Sequence, residues 1–277
     1  MKHAHRVRIG PFALTLRASG EQWQAFGALL EKEYGAYDRP GGTVRCRIEL
    51  RDRRLAPRAL CRGAGDELSL AKAKGGWRMA RYDFFSSSTK DFRATTLFID
   101  CNKYSLNSWL RIFLTQCGLR YGALLVHSAG ISCPEGIYLF AGVSGSGKST
   151  ITRIFGKRYA LSDELVLLYE QRGTFMAAST PFWGELKKGT GTLFCGRAEG
   201  ICFLSHGRIV RRSPAPASCA SALAQLLKTV LFFSDDSSSM RTLLGLAARA
   251  VKNVPVSRLG FAKTSTRKEL LAALTAP

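Results

Sequence analysis

The chain has 277 residues, 46% of them hydrophobic and 22% charged, which is enough for one large domain or two modest ones with separate cores. Its 41 Lys and Arg against 20 Asp and Glu give a formal net charge of +21, and such a surface attracts polyanions and acidic peptides alike. The apolar stretches fall short of the roughly 18 residues of a membrane span, and no helix-turn-helix, RNP-type or zinc-finger pattern is present, so neither a membrane nor nucleic acid is expected as a partner.

The N-terminal segment and the cysteines indicate a cytoplasmic protein. Residues 1–18 lack the continuous apolar core and the small-residue cleavage site of a secretion signal. The eight cysteines include no C-x-x-C pair, and most stand in apolar runs, where a free thiol packs as a small hydrophobic side chain. His3, His5 and His206 show no metal-ligand spacing with a cysteine pair, so zinc is not expected.

The sequence predicts a small α+β module over residues 1–104, on which a partner could dock. Its expected elements are a strand over 6–18, a helix after a capping box at 19–22, a strand over 43–52, a loop over 53–75, and strands over 77–85 and 93–100. In 43–52, Val44, Cys46, Ile48 and Leu50 alternate with charged residues. This period of two is typical of a half-buried antiparallel strand.

Residues 105–277 predict a second domain in which strands and helices alternate. A helix is expected over 105–119, followed by strands over 121–131 and 136–142, a helix over 148–158 that ends near Gly156, strands over 159–170, 173–180 and 199–210, and a mainly helical C-terminal part. A capping box at 266–269 predicts the start of a last helix that ends near Leu274. The fold class is therefore α/β with a smaller N-terminal α+β domain.

The stretch GVSGSGKS at 142–149 fits the phosphate-loop pattern G-x-x-x-x-G-K-[ST], and it stands between an apolar strand and a helix, as that pattern requires. Glycines let successive backbone N–H groups turn towards phosphate oxygens, and the helix N-terminus adds its positive end. Lys148 would hold the β and γ phosphates and Ser149 would ligate Mg²⁺, so ATP and Mg²⁺ are the predicted cofactors. The predicted nucleotide-binding residues are Gly142, Val143, Ser144, Gly145, Ser146, Gly147, Lys148, Ser149 and Thr150.

A phosphate loop does not decide what happens to the γ-phosphate, so the acidic residues nearby matter. A hydroxyl acceptor is a poor nucleophile at neutral pH, and a carboxylate that takes its proton is the usual remedy. Asp163, in LSDELV, is the candidate base, and His127 could fix its orientation and charge. Alternatively, Asp163 or Glu164 could hold Mg²⁺, which prefers hard oxygen ligands.

These residues give the chain a resemblance to the HPr kinase/phosphorylase group and to the shorter HPr kinase-like proteins of peptide-modification gene clusters. Over residues 121 to about 190, His127 precedes Gly142 by fifteen residues, as the histidine of that family precedes its phosphate loop. LSDELV resembles the acidic pair of the family, with Asp163 as base and Glu164 beside it. TPFWGEL at 180–186 resembles a segment of the shorter relatives, which implies that Glu185 lies near the metal.

The resemblance implies a catalytic domain of the HPr kinase and PEP carboxykinase-like type, with Asp163, His127 and Lys148 as catalytic residues and Ser149, Glu164 and Glu185 as metal ligands. It implies an ATP- and Mg²⁺-dependent kinase of a hydroxyl, a serine of a peptide or small protein, and the basic surface suits an acidic one. The alternatives are a kinase of free serine or another small hydroxyl metabolite, and an ATP-binding regulatory protein that transfers nothing.

The longer enzymes of the family assemble into rings, which implies a homo-oligomer. Their glycine-rich signature of phosphorolysis has no counterpart in this sequence. Lys187 and Lys188 are expected to be solvated.

Overall fold

The computed structural model describes residues 3–61, 65–186, 195–214 and 218–275, and within them the architecture is mixed α/β with two sheets. The chain divides into two compact units between Tyr121 and Gly122. The division lies after the helix predicted over 105–119, not before it. That helix belongs to the first unit because its Trp109 is fully buried there, donating a hydrogen bond to Ser86 over 3.0 Å.

The first unit contains one seven-stranded sheet and three helices among its described residues. Its strands are β1 (His3–Ile9), β2 (Phe12–Ala18), β3 (Val44–Asp52), β4 (Ser69–Ala73), β5 (Gly76–Arg81), β6 (Phe84–Thr89) and β7 (Ala94–Ile99). Its helices are α1 (Glu21–Tyr34), α2 (Arg58–Cys61) and α3 (Lys103–Arg120). The strand order is β1-β2-β3-β7-β6-β5-β4.

The strand β3 confirms the predicted burial pattern and corrects the predicted direction. Val44, Cys46, Ile48 and Leu50 are buried and the arginines between them are exposed. β3 is nevertheless parallel to both of its neighbours, β2 and β7, and the antiparallel prediction was wrong. The alternation of apolar and charged residues shows which face of a strand is buried, but not whether the strand is parallel to its neighbours. The direction of β3 is set by the long connection through α1, which returns the chain beside β2.

Four other predictions for this unit need correction. The single strand expected over 6–18 is the hairpin β1–β2, which turns at Gly10, where φ is 55°. The capping box at 19–22 does not form: Gly20 is the N-cap of α1, and no side chain caps the helix, because the helix begins one residue too late for Ser19 to act as the cap. The expected loop over 53–75 contains α2 and β4, and the strand expected over 77–85 is divided between β5 and β6.

The described residues of the second unit form an eight-stranded sheet and four helices. Its strands are β8 (Ala123–Cys133), β9 (Gly136–Ala141), β10 (Ala160–Ser162), β11 (Leu165–Gln171), β12 (Thr174–Ala178), β13 (Cys195–His206), β14 (Arg211–Pro214) and β15 (Val256–Phe261). Its helices are α4 (Lys148–Phe155), α5 (Cys219–Leu227), α6 (Ser237–Asn253) and α7 (Arg267–Thr275). Short 3₁₀ turns at Gly35–Tyr37, Arg53–Leu55 and Lys157–Tyr159 complete the two units. No helix within the described ranges has the length and apolar character to cross a membrane.

The strands of the second unit close a ring. β8 pairs with β11, β11 with β12, β12 with β13, β13 with β9, and β9 again with β8. β9, β13 and β15 run parallel, and α4 and α7 pack on them through a core that includes Phe140, Ile151, Phe155, Phe261 and Leu270. This core fixes the strand and the helix on either side of the loop over 142–147.

Two local predictions for the second unit are confirmed. Gly156 is the C-cap of α4, with φ at 89°. The capping box at 266–269 forms in both directions: Glu269 accepts from the Thr266 N–H over 2.7 Å, and the Glu269 N–H donates to the Thr266 hydroxyl over 3.3 Å. The last helix therefore starts where the sequence indicates.

A buried ion pair in the first unit makes its stability depend on pH. Asp83 is 4% exposed and accepts two hydrogen bonds of 2.7 Å from Arg81. Burial raises the pKa of the Asp83 carboxyl, but hydrogen bonds from Arg81 and Ser105 outweigh it and leave the pKa below its usual range. A carboxyl with a lowered pKa stabilises the folded state above its unfolded pKa, and the effect is lost as the pH falls through the folded value.

We therefore expect Asp83→Asn to lower the free energy of unfolding by about 1–3 kcal/mol near neutral pH, because Arg81 loses a buried partner. The difference from the unsubstituted protein should shrink as the pH falls from about 6 to about 3. Urea unfolding at several pH values measures it. Asp66→Asn, at an exposed position, is the matched control. A difference that stays constant with pH would contradict the prediction.

Candidate functional site

The loop between β9 and α4 has the backbone of a phosphate cradle. Gly145 and Gly147 have φ values of 79° and 101°, in the left-handed region that favours glycine. Val143, Ser144 and Gly145 are exposed. Gly147 is the N-cap of α4, and no side chain caps the helix. The first amides of α4 therefore start behind an open loop, the arrangement that accepts an anion at a helix N-terminus.

Gly147 also allows close packing beneath the loop. A Cβ atom at this position would stand 2.6 Å from the ring of Phe261, which is buried in the core of the unit. At Gly145 a Cβ atom would meet nothing within 4 Å. Gly145 is thus required for its backbone conformation alone, whereas Gly147 is required both for its conformation and because a side chain would not fit beside Phe261.

Lys148 lies within the loop that it belongs to. Its ammonium donates to the carbonyl oxygens of Gly142 over 2.8 Å and Val143 over 2.9 Å, and the residue is only 7% exposed. Burial lowers the pKa of the Lys148 ammonium, although the carboxylates of Asp163, Glu164 and Glu185 act in the opposite direction. The three predicted acidic residues therefore all act electrostatically on the predicted phosphate-binding lysine.

Two further observations describe the inner side of the loop. The hydroxyl of Ser146 is buried and has no hydrogen-bond partner within the described residues, and an unpaired buried hydroxyl has an energetic cost that a bound oxygen would remove. The space that a Cβ atom at Gly142 would occupy is already filled by the Ser146 side chain. The loop is therefore compact on its inner side and open at residues 143–145.

Asp163 is a buried carboxylate held by backbone amides. It is 3% exposed; one oxygen accepts from the Gly184 N–H over 2.8 Å and the other from the Leu186 N–H over 3.1 Å. The turn that presents it is shaped by Ser162, whose hydroxyl accepts from the Glu164 and Leu165 N–H groups over 2.9 and 3.0 Å. Neither the serine nor the two amides was identified from the sequence, because hydrogen bonds to backbone amides leave no residue pattern.

His127 lies where β8 changes neighbours. Residues 123–127 of β8 pair with β11, while residues 128–133 pair with β9. The edge of β8 that faces away from β11 also changes its neighbour here. The His127 N–H donates to the carbonyl oxygen of Thr229, whereas the next residue, Ser128, pairs with Ala141 at the end of β9. We call residues 127–128 the branch point of β8.

The branch point brings the predicted residues to one level of the sheet. His127 is opposite Leu165, and the Ser128 N–H donates to the carbonyl of Glu164 over 3.0 Å. Ala141, which pairs with Ser128, is followed directly by the phosphate loop. The backbone thus places His127 between the loop and the turn at 163–164, as the strand positions suggested.

The predicted metal ligands differ in their surroundings. Ser149 and Glu164 are half-buried, whereas the Glu185 side chain is 71% exposed and accepts from Arg153 of α4 over 3.1 Å. No group of three or more His, Cys, Asp or Glu within the described ranges forms a metal site by itself. Lys187 and Lys188 lie outside the described residues.

The comparisons with known proteins add no relative: no family model and no curated protein matches the chain. The resemblance to the HPr kinase group stays a prediction.

The requirement for space at Gly147 can be measured. We expect Gly145→Ala to lower the free energy of unfolding by about 1 kcal/mol, from left-handed strain alone. Gly147→Ala should cost about 1–3 kcal/mol more, because its methyl group meets the Phe261 ring. A double-mutant cycle with Phe261→Leu should recover part of the extra cost. Equal losses for the two alanine variants, with no coupling to Phe261, would refute the packing argument.

Proposed function

We propose that the second unit is an ATP- and Mg²⁺-dependent kinase of the HPr kinase-like type that phosphorylates a hydroxyl, a serine of a peptide or small protein. The observation that carries the proposal is the pairing of a phosphate loop with a carboxylate fixed at two points. Asp163 is buried, both of its oxygens are oriented by backbone amides, and it acts electrostatically on Lys148. A carboxylate fixed in this way beside a phosphate loop is suited to accept the proton of a hydroxyl acceptor.

The transfer step assigns a task to each residue. The acceptor oxygen bonds to the γ-phosphorus as the bond from that phosphorus to the β–γ bridging oxygen breaks, and ADP leaves with the electron pair. The acceptor proton passes to Asp163. Lys148 and the amides at the start of α4 stabilise the charge on the phosphates. His127, which pairs with Leu165 next to the turn at 163–164, would help to orient the Asp163 carboxylate.

Mg²⁺ would neutralise the phosphate oxygens when bound with the nucleotide. Ser149 and Glu164 are the residues that would hold it, and Glu185 would join them by exchanging its present partner, Arg153. These groups are hard oxygen donors, the type that Mg²⁺ prefers.

Lys148→Met tests the loop. We expect it to weaken ATP binding by at least about tenfold and to abolish labelling of any acceptor, because the phosphates lose a buried positive charge. Isothermal titration with an ATP analogue and labelling with radioactive ATP measure the two effects. Lys157→Met removes an exposed lysine just after α4 and should change neither. Unchanged ATP affinity in Lys148→Met would refute the nucleotide site.

Asp163→Asn tests the chemistry. We expect ATP affinity to change by less than about threefold while the transfer rate falls at least about 100-fold, because the acceptor loses its base. Candidate peptides and free serine are offered as acceptors in parallel, so the labelled compound identifies the acceptor class. Asp235→Asn, at an exposed position, is the control.

Circular dichroism must also show that the Asp163→Asn variant is folded. The NH₂ group of the asparagine would face the Leu186 N–H, and two donors cannot form a hydrogen bond with each other. If the unsubstituted protein binds ATP tightly but labels no acceptor, and Asp163→Asn behaves identically, the kinase proposal is wrong and a regulatory ATP-binding protein is indicated. Labelling of free serine alone would assign a small-molecule kinase.

A further inference from the structure

One face of the sheet in the first unit carries most of the arginines of its strands. Paired residues in neighbouring strands point to the same side, so the register defines the face. Rows such as Thr15–Arg47–Ala94 and Thr96–Ser87–Arg78 cross it, while the opposite face is the buried core. We call this surface the basic face; its arginines are Arg6, Arg8, Arg17, Arg45, Arg47, Arg51 and Arg78.

Most charges of the basic face are not neutralised within the unit, although Arg6 pairs with Asp38 over 3.1 Å. Glu49 is the one carboxylate that the described strands place on it, and it forms no ion pair there. Among the described residues, Arg45, Arg47 and Arg78 have no carboxylate partner, and the Nε of Arg17 is buried without a hydrogen-bond partner. Several arginines away from this face are paired with aspartates, for example Arg53 with Asp100 and Arg81 with Asp83.

Two concavities lie on the basic face. One of about 450 Å³ is lined by Arg47, Arg78 and Lys74, with Glu49 beside them, above a floor of small hydroxyl residues such as Ser87 and Thr96. A second of about 240 Å³ is lined by arginines that include Arg45. Arg45 and Arg47 are two positions apart on β3, so the neighbouring depressions share one row of positive charge.

We propose that the basic face binds an extended, acidic polypeptide segment. Arg45 and Arg47 stand about 7 Å apart along β3, the same interval at which alternate side chains recur along an extended chain. Carboxylates two positions apart in such a segment therefore match these two guanidinium groups, which can bind them in a bidentate manner. The small hydroxyl floor lets the segment lie close to the sheet.

A nucleic acid fits this face less well. Sheets that bind single-stranded nucleic acid stack bases on exposed aromatic rings. The aromatic residues that the strands place on the basic face, Phe85 and Phe98, are each only 5% exposed. The face therefore offers bidentate donors and no stacking platform, which favours carboxylates.

Binding itself does not depend on the kinase activity, whereas the identification of the acidic segment as part of the phosphate acceptor rests on the proposed function. If no phosphate is transferred, the acidic segment is not part of a phosphate acceptor, but its binding to the basic face still stands. The two proposals are thus separable by experiment.

The test is fluorescence anisotropy with the full chain and a labelled peptide of about ten residues in which glutamate alternates with glycine. We expect binding that weakens as NaCl rises above about 0.15 M, and no binding of the glutamine version of the peptide. Arg47→Glu with Arg78→Glu should weaken binding at least about tenfold. The milder pair Arg47→Gln with Arg78→Gln should give an intermediate loss, and thermal unfolding checks that both variants are folded.

The matched control makes the same change of net charge elsewhere in the unit. Lys103→Glu with Arg120→Glu reverses two exposed charges on α3 and should change the affinity by less than about twofold. An equal loss in this control would show that overall charge, not the basic face, attracts the peptide. Tighter binding of an oligothymidylate of equal charge would also overturn the assignment, in favour of nucleic acid.

Discussion

The arrangement of the second unit depends on the hydrogen bonds of one strand, β8, whose neighbours change at the branch point. Up to His127 one edge of β8 lies beside residues 229–231, and from Ser128 onwards it lies beside β9. Because both segments cannot occupy the same edge, β9 ends at this level and its chain must leave the sheet. The turn into the phosphate loop is thus a consequence of strand pairing.

The opposite edge of β8 explains the position of the acidic turn. β10 pairs with residues 130–131 and β11 with residues 123–127, so the chain between them bulges at 163–164, directly opposite the branch point. Asp163 is buried in this bulge, where a carboxylate without hydrogen bonds would be very costly. The amides of Gly184 and Leu186 remove that cost, and in doing so they fix the direction in which the carboxylate points. The stability of the turn and the orientation of its acid therefore have the same source.

The sequence predicts the local parts of this site and misses the distant ones. The phosphate loop, the cap at Gly156 and the capping box at Thr266 depend on residues within a few positions of each other, and the structure contains each of these local features. A similar pattern at 19–22 fails because Gly20, with φ at 55°, takes the place of the cap. Local patterns are therefore reliable only where the backbone conformation agrees with them.

Long-range features left no such signal. The direction of β3 depends on the path of α1, and the ring of Phe261 under Gly147 comes from a strand far along the chain. The amides that hold Asp163 belong to Gly184 and Leu186, whose side chains have no part in the bond. Only the placement of His127 near the acidic turn was expected, because it followed from strand positions alone.

The net charge of +21 has different physical meanings in the two units. Around the phosphate loop, the buried ammonium of Lys148 is bound by two carbonyl groups, and the carboxylates of Asp163, Glu164 and Glu185 act on it electrostatically. On the basic face, Arg45, Arg47 and Arg78 have no carboxylate partner among the described residues, although the same unit pairs Arg53 and Arg81 with aspartates. The nucleotide proposed for the loop would bring Mg²⁺, which offsets part of the charge of its phosphates. The acidic polypeptide proposed for the sheet would bring only negative charge, which suits exposed arginines without carboxylate partners.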